Sequence, residues 1–520
     1  MIYDVVVVGG GSAGCVLANR LSEDPNCSVL LIEAGPDYPT LKELPEDLAY
    51  AAFGPQSHNW GYLAEPDKFG SVVYISRGKV IGGSSSINYC FATRARPADH
   101  AAWAAVGNDG WGFEDVLPFY KAMESYSHGA DEWHGRTGPY KVSRADTAGL
   151  SQTAVAAVSA AEELGYSLVD DANAPDSVTG VAIAALGTLG GVRQSAAISY
   201  LNPVRDRANL EVRGGALVDR VEFEGGRAGG IRLADGEMVK ARHVVLSSGA
   251  YETPAILMRS GIGPAEHLAS FGIEVVVDAP GVGQNFMEHP AVYGRYAAKP
   301  PTSGFGAFVE VVLNATSGDE SEVDFDLQIY PSAVVPAEAL AGLFGPTENH
   351  PTGWEMVMIV ACVQPESRGS VMLRSADPAD APEIRLGLYE NARDAEKVAA
   401  AYRIVRRLTQ TSPLKEFLVE ELAPGSQVED EDLAEYIKRH PANFHHSSGT
   451  ARMGPASDPN AVVDSRCNVH GVDGLSVVDA SVFPVIPRAP TNVTTIVTAE
   501  RAAVMLKETL TGSAVRLVES

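Results

Sequence analysis

Apolar positions fall into two periods along this chain, and the first unit is the clearest. Val5-Val6-Val7-Val8 is an unbroken β-branched run of the kind that fills a parallel strand covered on both faces. Gly9-x-Gly11-x-x-Gly14 follows directly and opens a helix whose apolar positions Cys15, Val16, Leu17, Ala18 and Leu21 face a sheet. A second buried strand, Ser28 to Ile32, ends at Glu33. From about Asn209 to Ala250 short alternating strands are punctuated by Gly225-Gly226, Gly229-Gly230 and Asp235-Gly236, which predicts an antiparallel meander. It closes on an apolar strand, His243 to Ser248, followed by Gly249. From about Ala297 to Asn443 strands and helices mix; this segment holds an acidic stretch, Glu429 to Asp432, and an amphipathic helix, Asn391 to Thr411. No internal repeat or low-complexity tract interrupts the chain.

Composition narrows the class by exclusion. The chain has 520 residues, 45% hydrophobic and 20% charged, the profile of a soluble globular protein with a large core. Against 66 Asp and Glu stand 40 Lys and Arg, a formal charge of −26, and no basic run overrides it locally. Such a field repels phosphate backbones and anionic lipid surfaces, which excludes nucleic acid as a partner. Five scattered cysteines without a Cys-x-x-Cys pair predict neither a disulfide framework nor a metal site, and they point to a reducing compartment. Met1 leads straight into the first strand without a basic leader, and no apolar run approaches the roughly 18 residues that cross a bilayer. The expectation is a cytoplasmic protein with no membrane span.

The first unit also carries chemistry. Gly9 makes a tight turn, the missing side chain at Gly11 admits a pyrophosphate to the backbone, and Gly14 permits close helix–strand packing. Glu33, at the end of the second strand, is placed to accept hydrogen bonds from a ribose. Strand, turn, helix and acidic strand end agree, so the unit predicts a bound dinucleotide. NAD and FAD use the same turn and the same acidic residue, and the unit does not choose between them.

Three further segments are more specific. The first is Arg77-Gly78-Lys79-Val80-Ile81-Gly82-Gly83-Ser84-Ser85-Ser86-Ile87-Asn88, followed by Trp103 and Gly110-Trp111. The second runs from Gly249-Ala250-Tyr251-Glu252-Thr253-Pro254 to Ser260-Gly261-Ile262-Gly263. The third comprises His445-His446-Ser447-Ser448-Gly449-Thr450-Ala451-Arg452-Met453-Gly454 and Val478-Asp479-Ala480-Ser481, with Asn492 and Glu500 beyond. In this order, together with the glycine turn, they closely resemble the glucose–methanol–choline (GMC) family of FAD-dependent oxidoreductases. The resemblance spans nearly the whole chain. It implies a mixed α/β fold with a Rossmann-like FAD-binding domain built from residues 1–146, 186–296 and 444–520. A substrate domain, 147–185 and 297–443, is expected to roof the flavin with an antiparallel sheet flanked by helices. The implied activity is oxidation of a small-molecule alcohol to an aldehyde or ketone, with dioxygen or another electron acceptor reoxidising the flavin. The alternative on the same scaffold is non-redox cleavage of a cyanohydrin, as in hydroxynitrile lyases.

Carried over residue by residue, the resemblance implies that Gly9, Gly11, Ser12, Ala13 and Gly14 cradle the pyrophosphate and that Glu33, with Ala34, holds the adenosine ribose. Val218 matches the position whose backbone meets adenine. Gly83, Ser84, Asn88, Tyr89, Cys90 and Phe91 match the segment along the pyrophosphate and flavin, and Asp479, Ala480, Asn492 and Val493 the segment beside the ribityl chain and pyrimidine end. Trp60 and His445 are further candidates for flavin contact, each equally suited to packing. Ile87 stands where some choline-oxidising members attach FAD through a histidine, so the cofactor is expected to be held non-covalently.

Hydride transfer from an alcohol requires the hydroxyl proton to leave, and histidine suits that task because its ordinary pKa leaves much of it neutral near pH 7. Of the 12 histidines, His446 stands three residues before Gly449-Thr450, where the family places its base. Ser447 follows it where many members have proline, and His445 replaces the usual aromatic before it. Asn492 matches the family's second active-site position, where its amide is expected to donate to the substrate oxygen. The apolar run from Val493 onward is expected to form a helix whose N-terminus receives charge developing on the flavin.

Overall fold

The computed structural model describes residues 1–511 except 51–54, 56, 303, 305, 319–323 and 345–349. The last residues of the expected 444–520 segment, from 512 on, lie outside the described residues. Val5, Val6 and Val7 have no solvent exposure because their strand, Ile2–Val8, runs between two parallel neighbours, Val29–Ile32 and Met238–Leu246. A strand with no open face needs an apolar residue at every position, and the valine run supplies it. Helix Ser12–Leu21 packs on this sheet with Cys15, Val16, Leu17, Ala18 and Leu21 buried. The sheet has seven strands in the order Leu210–Arg213, Val29–Ile32, Ile2–Val8, Met238–Leu246, Arg227–Leu233 and Val218–Glu224, with Leu475–Val477 pairing parallel to Met238–Leu246. The chain therefore returns to this sheet late in its length, at Leu475–Val477.

The meander is shorter than the pattern implied. Leu210–Arg213 pairs parallel with Val29–Ile32, and only the three strands from Val218 to Leu246 run antiparallel. Gly225 and Gly226, both at positive φ, turn the first hairpin, whereas Gly229-Gly230 sits inside strand Arg227–Leu233. A Cβ on Gly230 would stand 2.1 Å from the Val239 carbonyl oxygen, so this glycine permits close strand approach.

The second sheet has nine strands. Its main order is Leu418–Ala423, Pro290–Ala298, Trp354–Cys362, Leu327–Pro331, Val311–Ala315, Gly180–Ile183 and Leu168–Val169. All neighbours are antiparallel except the last two strands. Trp354–Cys362 shows why this segment resisted a simple reading, since both its faces are apolar. Met356, Met358, Val360 and Cys362 pack into a core shared with helices Gln152–Glu163 and Ala392–Gln410, while Val357 and Ile359 join a separate cluster with Phe308 and Tyr330. Tyr89, Phe91 and Phe444 pack against that second cluster. The amphipathic helix appears as expected, with Asn391 capping Ala392–Gln410 by accepting from the Arg393 N–H.

Two expected boundaries move. Pro290–Ala298 pairs with Trp354–Cys362 along its length, so the chain enters the second sheet just after His289 rather than at residue 297. Strands Ser370–Met372 and Glu383–Arg385, expected in the substrate domain, pack through Val371 and Ile384 against Tyr62, Ile75, Tyr251 and Phe286. Apolar residues continue across both places, so the hydrophobic pattern carries no mark of the crossing. Among the described residues no helix is long and apolar enough to cross a membrane, and no cluster of His, Cys, Asp or Glu forms a metal site.

Candidate active site

A cavity of about 930 Å3 is shared by the two sheets. Gly9, Gly11, Ser12, Ala13, Glu33, Ala34 and Val218 line it from the first sheet, and Phe308, Val357 and Ile359 from the second. Trp60, Gly83, Ser84, Asn88, Tyr89, Cys90, Phe91, His445, His446, Asp479, Ala480 and Asn492 also line it. Two expected contacts lie off its wall. A Cβ on Gly14 would stand 1.9 Å from the Gly9 carbonyl oxygen, so Gly14 is consumed by packing of helix on turn. Val493 is buried in the core of the first domain, while its helix, Thr491–Thr511, presents Thr491, Asn492 and Thr495 to the cavity.

The turn leaves a shaped surface open. Gly9 holds φ +98° and could not carry a side chain against Ser247, but a Cβ on Gly11 would meet nothing nearer than 3.9 Å. Glu33 is fixed to the same turn: its Oε2 accepts from the Gly10 N–H and its Oε1 from the Gly35 N–H, each at 2.8 Å. Burial pushes its carboxyl up to about 7 against those bonds. Asp479 joins two motifs, its Oδ2 accepting from the Gly249 N–H (2.8 Å) and the Thr253 hydroxyl (2.6 Å) and its Oδ1 from the Ser481 N–H (2.7 Å).

Asn492 lines the cavity beside the glycine turn. Its Oδ1 accepts from the Ser12 hydroxyl at 2.7 Å, which ties the side chain to the glycine turn, and no hydrogen bond links it to His446. Its Nδ2 is buried and faces the Tyr140 hydroxyl. An open glycine surface beside a helix N-terminus is what a dinucleotide would fill, so the residues present fit FAD.

At the other end two histidines meet. His289 and His446 approach through their Nδ1 atoms at 2.8 Å, and His289 Nε2 lies 3.1 Å from the Pro487 carbonyl oxygen. Burial pushes His289 down to about 3. Burial, reinforced by His289, Arg77 and His445, holds His446 well below the ordinary histidine value. His445 is likewise pushed down to about 3 by burial and by Arg77, which donates to its carbonyl oxygen. Asn443 Nδ2 lies 3.2 Å from His445 Nδ1. Glu288 Oε1 accepts from the backbone N–H of both His289 (2.9 Å) and His446 (2.6 Å), clamping the pair from behind. Cys90 and His445 hold left-handed backbone at φ 60° and 63°, strain of the kind that collects at functional sites.

His289, Glu288 and the placement of Arg77 escaped the sequence reading. Glu288-His289-Pro290 lies 157 positions before His446, outside any local spacing rule. Its one signal is an acid and a histidine adjoining the start of an apolar strand.

The family models of GMC oxidoreductase match residues 3–291 and 365–499. Oxygen-dependent choline dehydrogenase of Rhizobium johnstonii is 35% identical over 538 residues, covering 97% of this chain and 95% of that protein. Among solved structures, pyridoxine 4-oxidase from Mesorbium loti superposes with a TM-score of 0.88 at 31% identity, covering 96% of this chain and 98% of that one. Formate oxidase of Aspergillus oryzae RIB40 superposes with a TM-score of 0.86 at 25% identity, covering 98% of each chain. With the turn, the two sheets and the histidine-lined cavity in place, the chain belongs to the GMC oxidoreductase family, FAD-dependent enzymes that act on CH–OH donors.

Proposed function

We propose that this enzyme oxidises a small-molecule alcohol to an aldehyde or ketone with His446 as the general base. The tautomer of His446 carries the reading. The Pro487 carbonyl has no hydrogen to give, so His289 Nε2 bears the proton between them. Neutral His289 then offers only a lone pair at Nδ1, and His446 must donate from its own Nδ1. The lone pair of His446 is left on Nε2, on a ring that lines the cavity. His445 has the opposite arrangement: Asn443 Nδ2 donates to its Nδ1, so its remaining nitrogen carries hydrogen and takes no proton while neutral. Two adjacent histidines thus have different roles, and His446 alone of them is built to accept.

The reaction balances on these groups. The alcohol O–H bond breaks toward His446 Nε2, the carbinol C–H bond breaks as hydride, and the C=O bond forms. FAD, when bound, supplies the hydride acceptor. Dioxygen or another electron acceptor takes up the two electrons and completes the turnover. Gly11, Ser12, Asn492 and the N-terminus of Thr491–Thr511 would hold the cofactor, and Glu33 its ribose. Ile87 packs with Leu48 and Val80 and has no nucleophile to bond a flavin, so the attachment is non-covalent. The names of the relatives, choline dehydrogenase and pyridoxine 4-oxidase, accord with a CH–OH donor.

The test is anaerobic mixing of the FAD-loaded protein with alcohols while oxidised-flavin absorbance is followed. His446→Ala is expected to slow flavin reduction by roughly two to four orders of magnitude with FAD content unchanged, and His445→Ala to stay within about tenfold of the parent. Parent-like reduction in His446→Ala, or the large loss appearing in His445→Ala instead, would overturn the assignment.

A further inference from the structure

Two aromatic walls meet at the base. On one, Phe91 lies 4.9 Å from Tyr330 between ring centroids, Tyr330 lies 5.3 Å from Phe444, and Phe444 stands edge-on to His446 at 4.6 Å. On the other, Tyr89 stacks on Phe308 at 5.7 Å. Tyr89, Phe91 and Phe444 are only partly buried by the cluster beneath them, and all three line the cavity, so their open surface faces it. Walls of flat rings receive a flat ring better than a saturated one of equal size, through offset and edge-on contacts.

Aromatic faces also attract cations, so the charges of the chamber decide between a neutral and a cationic substrate. The carboxylates that line the cavity, Glu33, Glu252 and Asp479, all belong to the cofactor half. Each is engaged there: Glu33 by two amides, Glu252 by the Tyr62 hydroxyl at 2.5 Å, and Asp479 by two amides and Thr253. Among the described residues no Asp or Glu lines the cavity between 290 and 446. Arg295 in that stretch is matched by Glu355, which it meets bidentately at 2.8 and 2.6 Å. Arg77 on the wall bonds to the Ser76 and His445 carbonyl oxygens, and its charge is opposed by the buried Glu288 carboxyl within electrostatic reach of it. The Glu288 carboxyl faces the backbone behind the histidines and is absent from the lining. A quaternary ammonium entering here leaves water without meeting an anion on the wall, and it stands beside a histidine about to become an imidazolium.

Resting on the reading of this cavity as an alcohol-oxidising site, we infer that the substrate is an uncharged alcohol carried on a flat aromatic ring, and that choline-like alcohols are excluded by charge. The holoenzyme tests both halves by anaerobic rapid mixing with two matched pairs. Benzyl alcohol against cyclohexylmethanol varies flatness at constant size, and 3,3-dimethylbutan-1-ol against choline varies charge at constant shape. The ratio of reduction rate constant to Kd is expected to favour benzyl alcohol and 3,3-dimethylbutan-1-ol by at least about tenfold each over their partners. A readout without turnover accompanies this: unreactive benzamide is expected to perturb the oxidised-flavin spectrum at millimolar concentration, and tetramethylammonium to leave it unchanged. Choline equal to or better than its neutral isostere overturns the charge argument, and cyclohexylmethanol equal to or better than benzyl alcohol overturns the slot. Flavin reduction by choline alone leaves alcohol oxidation standing and removes only this inference. If none of the four reduces the flavin, alcohol oxidation itself falls, and the benzamide titration still decides the shape of the chamber.

Discussion

As the proposed base, His446 would accept a proton in a place that resists protonation at rest, and its pH behaviour follows. Its pKa lies well below the ordinary value, first because it is buried and then because His289, Arg77 and His445 surround it. A base whose pKa is depressed stays unprotonated as the pH falls through the range where a free histidine titrates. Flavin reduction is therefore expected to change by less than about twofold between about pH 8 and about pH 6.5, where an unperturbed histidine would already be half protonated. Stopped-flow traces across that range check this, and a midpoint at or above the free-histidine value contradicts it. His289→Ala removes the acceptor that keeps the His446 proton on Nδ1. Loss of such an orienting partner is expected to slow reduction roughly 10- to 100-fold. A rate within about twofold of the parent would reduce His289 to packing. His446 was legible in the sequence because its motif is local. Its partner was not, because only the fold brings the two rings together.

At the level of elements, the glycine turn separates two roles that its spacing presents as one. Gly14 faces the Gly9 carbonyl so closely that any side chain must push helix Ser12–Leu21 off the sheet. Gly11 faces open space with an extended backbone that alanine tolerates. Gly14→Ala is expected to destabilise the folded protein by about 1–3 kcal/mol or more, read as a lower Tm with FAD content falling alongside. Gly11→Ala should leave the cofactor-stripped Tm within about 1 °C of the parent, since exposed substitutions away from packed features cost little, while weakening FAD binding at least about tenfold. Equal losses of apoprotein stability in both variants would show that Gly11 serves packing too. The same physics explains what composition misread in the meander. A glycine in a turn and a glycine under a neighbouring strand look alike in sequence, and Gly230 is the second kind. The Val493 side chain lies off the cavity wall for a related reason: on helix Thr491–Thr511 adjacent residues point to different faces, so Asn492 lines the cavity and Val493 fills the core.

For the whole molecule, the order of the motifs was readable because each is local, and their meeting was not. The first sheet takes strands from residues 2–8, 29–32, 210–246 and 475–477, and the cavity wall is drawn from segments between Val8 and Thr495. The crossing after His289 and the return of residues 370–385 to the first domain had no mark in a chain that stays apolar through both. A cofactor held in that cavity would bear on walls drawn from both sheets, so its binding energy would be coupled to the cohesion of both. With the proposed non-covalent attachment, Ile87 offering no bond to the flavin, that coupling would be reversible. A ligand that binds only the folded state stabilises it by about 2.7 kcal/mol at a hundredfold excess over Kd, and the gain grows with concentration. Protein stripped of FAD is therefore expected to unfold at a lower temperature, with Tm climbing steadily as FAD is titrated back. Denaturing the holoenzyme in detergent should release all of the flavin into the filtrate, leaving a colourless chain. Flavin retained on the denatured protein would show a covalent bond at a residue other than Ile87. A Tm indifferent to added FAD would mean that the segments cohere through the two sheets alone, and that the cavity, though shaped for the cofactor, draws no stability from it.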